Sequence, residues 1–205
     1  MARSARWGVR SGLAAALASV SVLTLTAPTS ALGNPPSSSA WGAAQPVLGL
    51  SALNKGLANF DTVSCPSPGN CTAAGSYWTS SDPSPESTEG FVVDESNGTW
   101  GVAREVPGLR KLNADRAAQV VSVSCATPGN CAAGGRYGGA GDQQAFLVEE
   151  LNGVWSLAHA IPGLAELNGG AQASIDAVSC PTVGACTAVG YYTDSIGTEI
   201  GRAHV

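Results

Sequence analysis

Six cysteines are the residues in this sequence whose type and spacing first suggest chemistry. They form three pairs with the pattern Val-Ser-Cys-x-x-x-Gly-x-Cys-x-Ala: Cys65 with Cys71, Cys125 with Cys131, and Cys180 with Cys186. A turn of this length between two strands would place the sulfur atoms of a pair within disulfide distance. Structural zinc sites and redox pairs commonly use only two intervening residues. The sequence therefore predicts a structural disulfide in each pair, no metal site and no cofactor.

Acid–base chemistry has few candidates elsewhere. His159 stands alone, because nothing near it in the sequence completes a catalytic triad. Asp61 and Asp176 each lie four residues before the first cysteine of a pair, where a carboxylate suits hydrogen bonds from backbone amides. Glu149 and Glu150 are neighbours on a predicted strand, so their side chains should point to opposite faces. None of these residues specifies the carboxylate separation that glycoside hydrolysis needs, and no catalytic residue is predicted.

Aromatic side chains supply the ligand-binding candidates. Three tryptophans recur at regular intervals, which favours packing between sheets: Trp41, Trp100 and Trp155. Tyr77 and Trp78 instead adjoin a loop of variable length, and Tyr191 and Tyr192 occupy the equivalent positions later in the chain. The predicted ligand-binding residues are therefore Tyr77, Trp78, Tyr191 and Tyr192.

A repeated unit positions all of these residues. Each unit contains a Leu-Asn pair, the Val-Ser-Cys motif, the second cysteine, a glycine and a tyrosine, and complete units end in Asn-Gly-x-Trp. Repeat 1 covers residues 41–100, repeat 2 covers 101–155, and an incomplete repeat 3 covers 156–198. The difference in length between the first two repeats lies mainly in the loop 79–88.

Within repeat 2, short runs typical of β-strands alternate with turn residues. Strands are predicted near Gly101–Val106, Gln119–Cys125, Cys131–Tyr137 and Gln144–Glu150. Turns such as Pro107-Gly108 and Asn152-Gly153 supply the fixed or positive φ that separates them.

One unit is thus predicted to be a four-stranded meander, and its strands look apolar on both faces. Such sheets must stack on copies of themselves, and radial stacking of four-stranded sheets gives a β-propeller. The sequence therefore predicts an all-β fold, a partial β-propeller, with a trefoil, a sandwich or a solenoid as the alternatives.

The unit also resembles known repeats. From Trp41 to Tyr192 it is similar to the Cys-hairpin repeats of uncharacterised secreted proteins from high-GC Gram-positive bacteria. That resemblance implies a propeller-like fold and carries no activity or catalytic residues. The segment Asn97–Trp100 also resembles the end of the Asp-box turn of sialidase-like propellers, but Asp94 lies too far ahead to complete that motif.

The two ends of the sequence predict export and an interrupted chain. Three arginines in the first ten residues, the apolar run 11–26 and small residues up to Ala31 predict a signal peptide over 1–31. The apolar run is shorter than the ~20 residues of a membrane-spanning helix. Residues 32–40 are predicted to be a disordered linker. Residues 199–205 resemble the translation of a sequencing adapter, so an artefactual tail and a truncated chain are expected.

The net charge of the chain without its signal peptide excludes some classes of binding partner. Loss of the signal peptide leaves seven basic and fifteen acidic residues, a net charge of −8 without basic clusters. This composition argues against nucleic acid and anionic membranes as partners. The sequence predicts a secreted, extracellular or cell-wall-associated, non-catalytic binding or scaffold module, with a carbohydrate or a cell-surface protein as partner. The alternative is a fragment of a propeller-type carbohydrate-active enzyme whose catalytic residues lie in further repeats.

Overall fold

The computed structural model of the chain describes residues 42–81, 88–113, 117–139, 141, 143–169 and 171–204. The predicted signal peptide, the predicted linker, Trp41 and Val205 lie outside these ranges, as do residues 82–87 of the variable loop. No helix within the described ranges is long and apolar enough to cross a membrane.

The described chain is all-β, and its strands form three antiparallel sheets that follow one another along the sequence. A helix of about one turn precedes the first long strand of each sheet. In chain order, the elements are α1 (Leu50–Leu53), β1 (Ala58–Ser67), β2 (Asn70–Trp78), β3 (Thr88–Ser96), β4 (Thr99–Trp100), β5 (Arg104–Glu105), α2 (Leu109–Asn113), β6 (Ala118–Thr127), β7 (Asn130–Tyr137), β8 (Gln144–Leu151), β9 (Val154–Trp155), β10 (His159–Ala160), α3 (Leu164–Leu167), β11 (Ala173–Thr182), β12 (Ala185–Thr193) and β13 (Glu199–His204).

Each of the first two sheets contains a meander of four strands. The first sheet has the order β1-β2-β3-β5, and the short β4 pairs with the end of β3. The second sheet repeats this order as β6-β7-β8-β10, with β9 at the end of β8. The third sheet has the order β11-β12-β13. Over the described ranges, the sheets close into neither a barrel nor a complete propeller.

The fourth strand of a sheet comes from the beginning of the next predicted repeat. A strand was expected at Gly101–Val106, but the strand observed there is only Arg104–Glu105. It pairs with β3, which belongs to the preceding sheet. The amide of Gly101 donates to the carbonyl of Asp94 at 2.8 Å, which turns the chain back along that edge. The boundaries between sheets therefore fall after the tryptophans and not at them.

The other three strands predicted in repeat 2 correspond to β6, β7 and β8, with ends that differ by two residues or fewer. A helix at Leu109–Asn113 was not predicted, because five residues are too few for the 3.6-residue period to be visible. The Pro107-Gly108 turn leads directly into this helix, and Gly108 has a φ of 78°.

The three disulfides form within the predicted hairpins. Each joins cysteines six residues apart, with Cα–Cα distances of 4.0, 3.9 and 4.1 Å in chain order. Cys125 and Cys131 are direct partners across β6 and β7. In the turn between them Gly129 has a φ of 72°, a conformation that suits glycine. The side chain of Asn130 donates to the carbonyl of Pro128 at 3.3 Å and closes the turn.

A β-bulge interrupts the first long strand of every sheet at the same place, next to residues 61, 121 and 176. The bulge brings the backbone close to the glycine on the neighbouring strand. A Cβ atom on Gly135 would lie 2.0 Å from the carbonyl oxygen of Gln119, and one on Gly75 would lie 1.9 Å from that of Asn59. The recurring glycine is therefore required by this close approach of two strands.

The core lies between successive sheets. Ala74 and Val92 of the first sheet pack with Val120 and Val123 of the second, and all four are at most 6% exposed. The second junction repeats the arrangement around Ile175 of the third sheet. We call the face that carries Val120 and Val123, and its equivalent in each sheet, the leading face. The opposite face, which carries Ala74 and Val92, is the trailing face.

Hydroxyl groups link the first strands of neighbouring sheets. The amides of Val123 and Cys125 donate to Thr62 Oγ1 and Ser64 Oγ at 3.2 and 3.0 Å. At the second junction, the amides of Val178 and Cys180 donate to two serine hydroxyls at 3.0 Å, those of Ser122 and Ser124. We call this set of bonds the hydroxyl ladder. Its regular spacing indicates that both junctions have the same geometry.

Candidate ligand-binding cavity

A cavity of about 390 Å³ lies on the leading face of the third sheet, against the second sheet and α3. Two of the four predicted ligand-binding residues, Tyr191 and Tyr192, line it. The remaining wall is mainly aliphatic and includes Leu164, Leu167 and Ile175. This volume falls in the range of about 300–1,000 Å³ that is typical of small-molecule sites.

Asn168 holds the wall of the cavity in place. Its side-chain amide donates to the carbonyl of Gln143 at 2.8 Å, and its Oδ1 accepts from the amide of Gln172 at 2.9 Å. The end of α3 is thereby tied to the entry of β8 and to the approach of β11. Asn113 plays the same part at the end of α2, where its Oδ1 accepts from the amide of Gly138 at 3.1 Å. The repeated Leu-Asn pair was the signal in the sequence, but it did not reveal this role.

The cavity lies where the first two sheets place a phenylalanine. Phe91 pairs with Gly75, and Phe146 pairs with Gly135, and both phenylalanine side chains are fully buried. The equivalent glycine of the third sheet, which borders the cavity, pairs with Arg202. The residue paired with this glycine is therefore an arginine in the third sheet and a phenylalanine in the other two.

The four predicted aromatic residues do not form one site. Tyr77 is 1% exposed, and its hydroxyl donates to Glu105 Oε2 at 2.8 Å. Burial and the carboxylate of Glu105 raise the pKa of Tyr77 above its usual range. Trp78 is half-buried and covers Gly56, where a Cβ atom would lie 2.7 Å from the indole ring. At the cavity itself, Tyr192 is 4% exposed, whereas Tyr191, its neighbour on β12, is half-buried and points to the opposite face of the sheet.

One of the three periodic tryptophans, Trp155, packs between two sheets as the spacing predicts. Trp155 is 7% exposed and belongs to the core between the first two sheets. Trp100 packs against the cluster on the leading face of the first sheet. The residue at 41 lies outside the described part of the chain.

A second, smaller cavity of about 190 Å³ lies between the first two sheets and is bordered by Asp94 and Glu150. Glu150 is 4% exposed, and its Oε2 has no hydrogen-bond partner among the described residues. Burial, with a smaller effect from the negative charge of Asp94, raises the pKa of Glu150 to about 7. Asp94 itself accepts from Thr72 Oγ1 at 2.8 Å and forms an ion pair with Arg104 at 2.5 Å.

The sequence predicted part of this arrangement. Glu149 is exposed and Glu150 is buried, so the two side chains do lie on opposite faces of β8. The approach of Asp94 was not predicted, because that residue belongs to another sheet, 56 positions earlier in the chain. The available signal was the pair of acidic residues that precedes Asn-Gly in both complete repeats.

The other polar candidates lie on the surface. His159 is exposed on β10, and Asp61 and Asp176 are exposed at the bulges. In the described ranges, no group of three or more histidine, cysteine or acidic side chains is placed to hold a metal ion.

No protein-family model matches the chain, and no curated protein matches it. Function therefore has to be argued from the cavity and the surfaces of the protein.

Proposed function

We propose that the protein is a secreted, non-catalytic binding module and that the cavity of about 390 Å³ on the third sheet holds its ligand. The observation that carries this proposal is the composition of the wall. Aliphatic side chains form most of it, and Tyr192, on the same face of the third sheet as Ile175, adds an aromatic ring that carries a hydroxyl. A ligand with an apolar face and hydrogen-bonding edges suits this wall, and sugar rings have both.

The architecture that we infer for the module is a β-propeller. The hydroxyl ladder joins the first strands β1, β6 and β11, while the short strands β5 and β10 lie at the opposite edge of their sheets. Such an order, with one set of equivalent edges together, is typical of blades around an axis. Binding loops at the ends of blades are a common use of this fold.

Export is part of the same proposal. Three disulfides support an extracellular location, because disulfides persist mainly in oxidising compartments. The expected partners remain a carbohydrate or a cell-surface protein.

Replacement of Tyr192 by alanine tests the binding site. The full chain would be titrated with a panel of soluble oligosaccharides by calorimetry. We expect at least one to bind, and we expect Tyr192→Ala to weaken that binding about tenfold or more, because an aromatic contact and a hydroxyl are lost together. Tyr192→Phe, which keeps the ring, should retain most of the affinity.

Tyr137→Ala is the matched control, since Tyr137 occupies the equivalent position on the second sheet. This variant should bind as the unchanged protein does. The proposal would be wrong if no oligosaccharide bound, or if Tyr192→Ala and Tyr137→Ala had equal effects.

One observation favours a second candidate function, the hydrolysis of a glycosidic bond. Glu150 holds a proton to about pH 7, while Asp94 is ion-paired with Arg104. A protonated acid beside a carboxylate is the combination that glycosidases use. The cavity between these groups measures about 190 Å³, less than the usual size of a small-molecule site. For this reason we place the binding function first.

A further inference from the structure

The leading face of the first sheet has the composition of a core surface, but the described residues leave its inner strand uncovered. Phe60 and Val63 of β1 are 48% and 61% exposed. Their equivalents on the second sheet, Val120 and Val123, are 0% and 6% exposed. A cavity of about 550 Å³ lies over this strand and is lined by Phe60, Val63 and Trp100, among others. We call this surface the open face.

The two junctions in the chain indicate what fits such a face. At each one, the covering sheet supplies hydroxyl groups that accept from two amides of the first strand. By the same register, the amides of Val63 and Cys65 lie along the inner edge of the open face. A matching partner therefore carries Ser or Thr at two alternate positions of a strand, as Ser122 and Ser124 do.

Side-chain size sets a second requirement. Ile175 on the third sheet is covered by Gly134, where a Cβ atom would lie only 2.7 Å from the Ile175 side chain. Phe60 occupies the position equivalent to Ile175 and has a larger side chain. Because overpacking of a close contact is destabilising, a sheet that covers Phe60 needs a glycine in the position of Gly134.

The third sheet of this chain does not meet these requirements. Its trailing face has Val189 in the position of Gly134, and Val189 is 41% exposed. Ala177 replaces the first of the two hydroxyl residues, and only Ser179 remains. A second copy of the unchanged chain would therefore bring a valine against Phe60 and would lack one hydrogen bond.

We propose that the open face is a docking surface for a separate β-sheet of the same repeat type, with glycine opposite Phe60 and two hydroxyl residues on its inner strand. The partner is recognised by the shape of its trailing face and by two amide-to-hydroxyl bonds. This inference concerns a different sheet from the proposed ligand cavity and does not depend on it.

The chain itself can be converted into the required partner. Ala177→Ser and Val189→Gly give the third sheet the residues that the second sheet has at these positions. Val63→Arg, added to the same chain, blocks its own open face. This triple variant presents a competent trailing face and cannot associate with itself. It would be mixed with the unchanged chain, whose open face is intact, under non-reducing conditions.

Sedimentation velocity would then measure association. We expect a 1:1 complex of the triple variant with the unchanged chain, at least about tenfold tighter than the complex of Val63→Arg alone with the unchanged chain. We also expect the unchanged chain to be monomeric at the same concentration. Far-UV circular dichroism and the three disulfides serve as checks on folding, and all three substituted side chains, Val63, Ala177 and Val189, are exposed.

Three outcomes would overturn the proposal. Absence of a complex would mean that the open face is covered by another part of the chain or serves a different ligand. Equal affinity of Val63→Arg and the triple variant would remove the requirement for glycine. Self-association of the unchanged chain that Val63→Arg abolishes would show that the third sheet already fits the open face.

Discussion

Glu150 shows how far a side chain in this protein can depart from its behaviour in water. Its carboxyl is buried between two sheets beside Asp94, and its pKa is raised to about 7. In the unfolded chain the same group titrates near its ordinary value of 4.5. Between these two values the unfolded chain releases a proton that the folded chain retains. The contribution of Glu150 to stability is therefore present below pH 4.5 and is lost as the pH rises through 7.

The corresponding prediction concerns Glu150→Gln. The free energy of unfolding of the unchanged protein should fall by on the order of 2 to 3 kcal/mol between pH 5 and pH 8, at 1.36 kcal/mol per unit of pKa difference. An amide does not titrate, so Glu150→Gln should lack this decrease. Urea unfolding at several pH values would measure this difference. Glu149→Gln is the matched control, because Glu149 is exposed on the same strand. Parallel pH profiles for the unchanged protein and Glu150→Gln would contradict the prediction.

For single residues, the sequence predicted the structural role of a side chain better than it predicted the neighbours of that residue in the fold. The cysteine pairs and Trp155 have the roles that their spacing indicates, because a repeat reports directly on shared geometry. The repeat pattern identifies the glycine opposite the bulge as a recurring residue but does not give the reason for it. The reason lies in the carbonyl of Gln119, which approaches Gly135 from another strand. No local pattern contains that information.

Among the elements, the cysteine hairpins invite a direct comparison. The pair Cys125–Cys131 is at most 9% exposed in the core of the first junction, whereas Cys65 of the first hairpin is exposed. Both disulfides close loops of the same length, so the chain-entropy model assigns each about 2 to 2.5 kcal/mol. Any difference between the two hairpins must then come from packing.

We therefore expect the double replacement Cys125→Ala and Cys131→Ala to cost more than the replacement of Cys65 and Cys71 by alanine. The excess should be about 1 to 2 kcal/mol, because only the central pair also leaves space in a packed core. Guanidinium unfolding of both variants would measure it. Equal losses, or a greater loss for the first hairpin, would show that packing around the sulfur atoms is unimportant.

The strands were predicted well where both periodicity and turns were clear, as for β6 to β8. The fourth strand was assigned to the wrong sheet, because pairing across the edge of β3 depends on contacts that Arg104–Glu105 does not encode locally. Of the residues that border the cavity on the third sheet, the sequence singled out only Tyr191 and Tyr192. The other walls of the cavity come from α3 and from a different sheet, so their convergence required the tertiary structure.

For the whole molecule, the hydroxyl ladder is the contact most directly tied to stacking. Ser122 and Ser124 accept from two backbone amides of the third sheet at 3.0 Å. Replacement of both serines by alanine leaves these amides without the bonds. A buried donor that loses its acceptor costs about 1 to 3 kcal/mol.

We expect Ser122→Ala with Ser124→Ala to loosen the third sheet from the second before the first junction is affected. Hydrogen exchange followed by mass spectrometry should show faster exchange in β11 and unchanged exchange in β6. Ser179→Ala is the matched control, since Ser179 holds the equivalent position on the third sheet and is exposed. Equal exchange in β11 in the double variant and the control would contradict a role in stacking.

The ladder also bears on how such a chain could grow during evolution. Each unit carries, within the same Val-Ser-Cys tripeptide, an acceptor for the unit after it and donors for the unit before it. A duplicated unit therefore already contains the amide donors and the hydroxyl acceptor for its two junctions. Its insertion requires no compensating change in these hydrogen bonds in its neighbours. Only the fit of side chains such as Gly134 with Ile175 needs later adjustment. Gain or loss of whole units should thus be tolerated far more readily than gain or loss of a few residues within a strand.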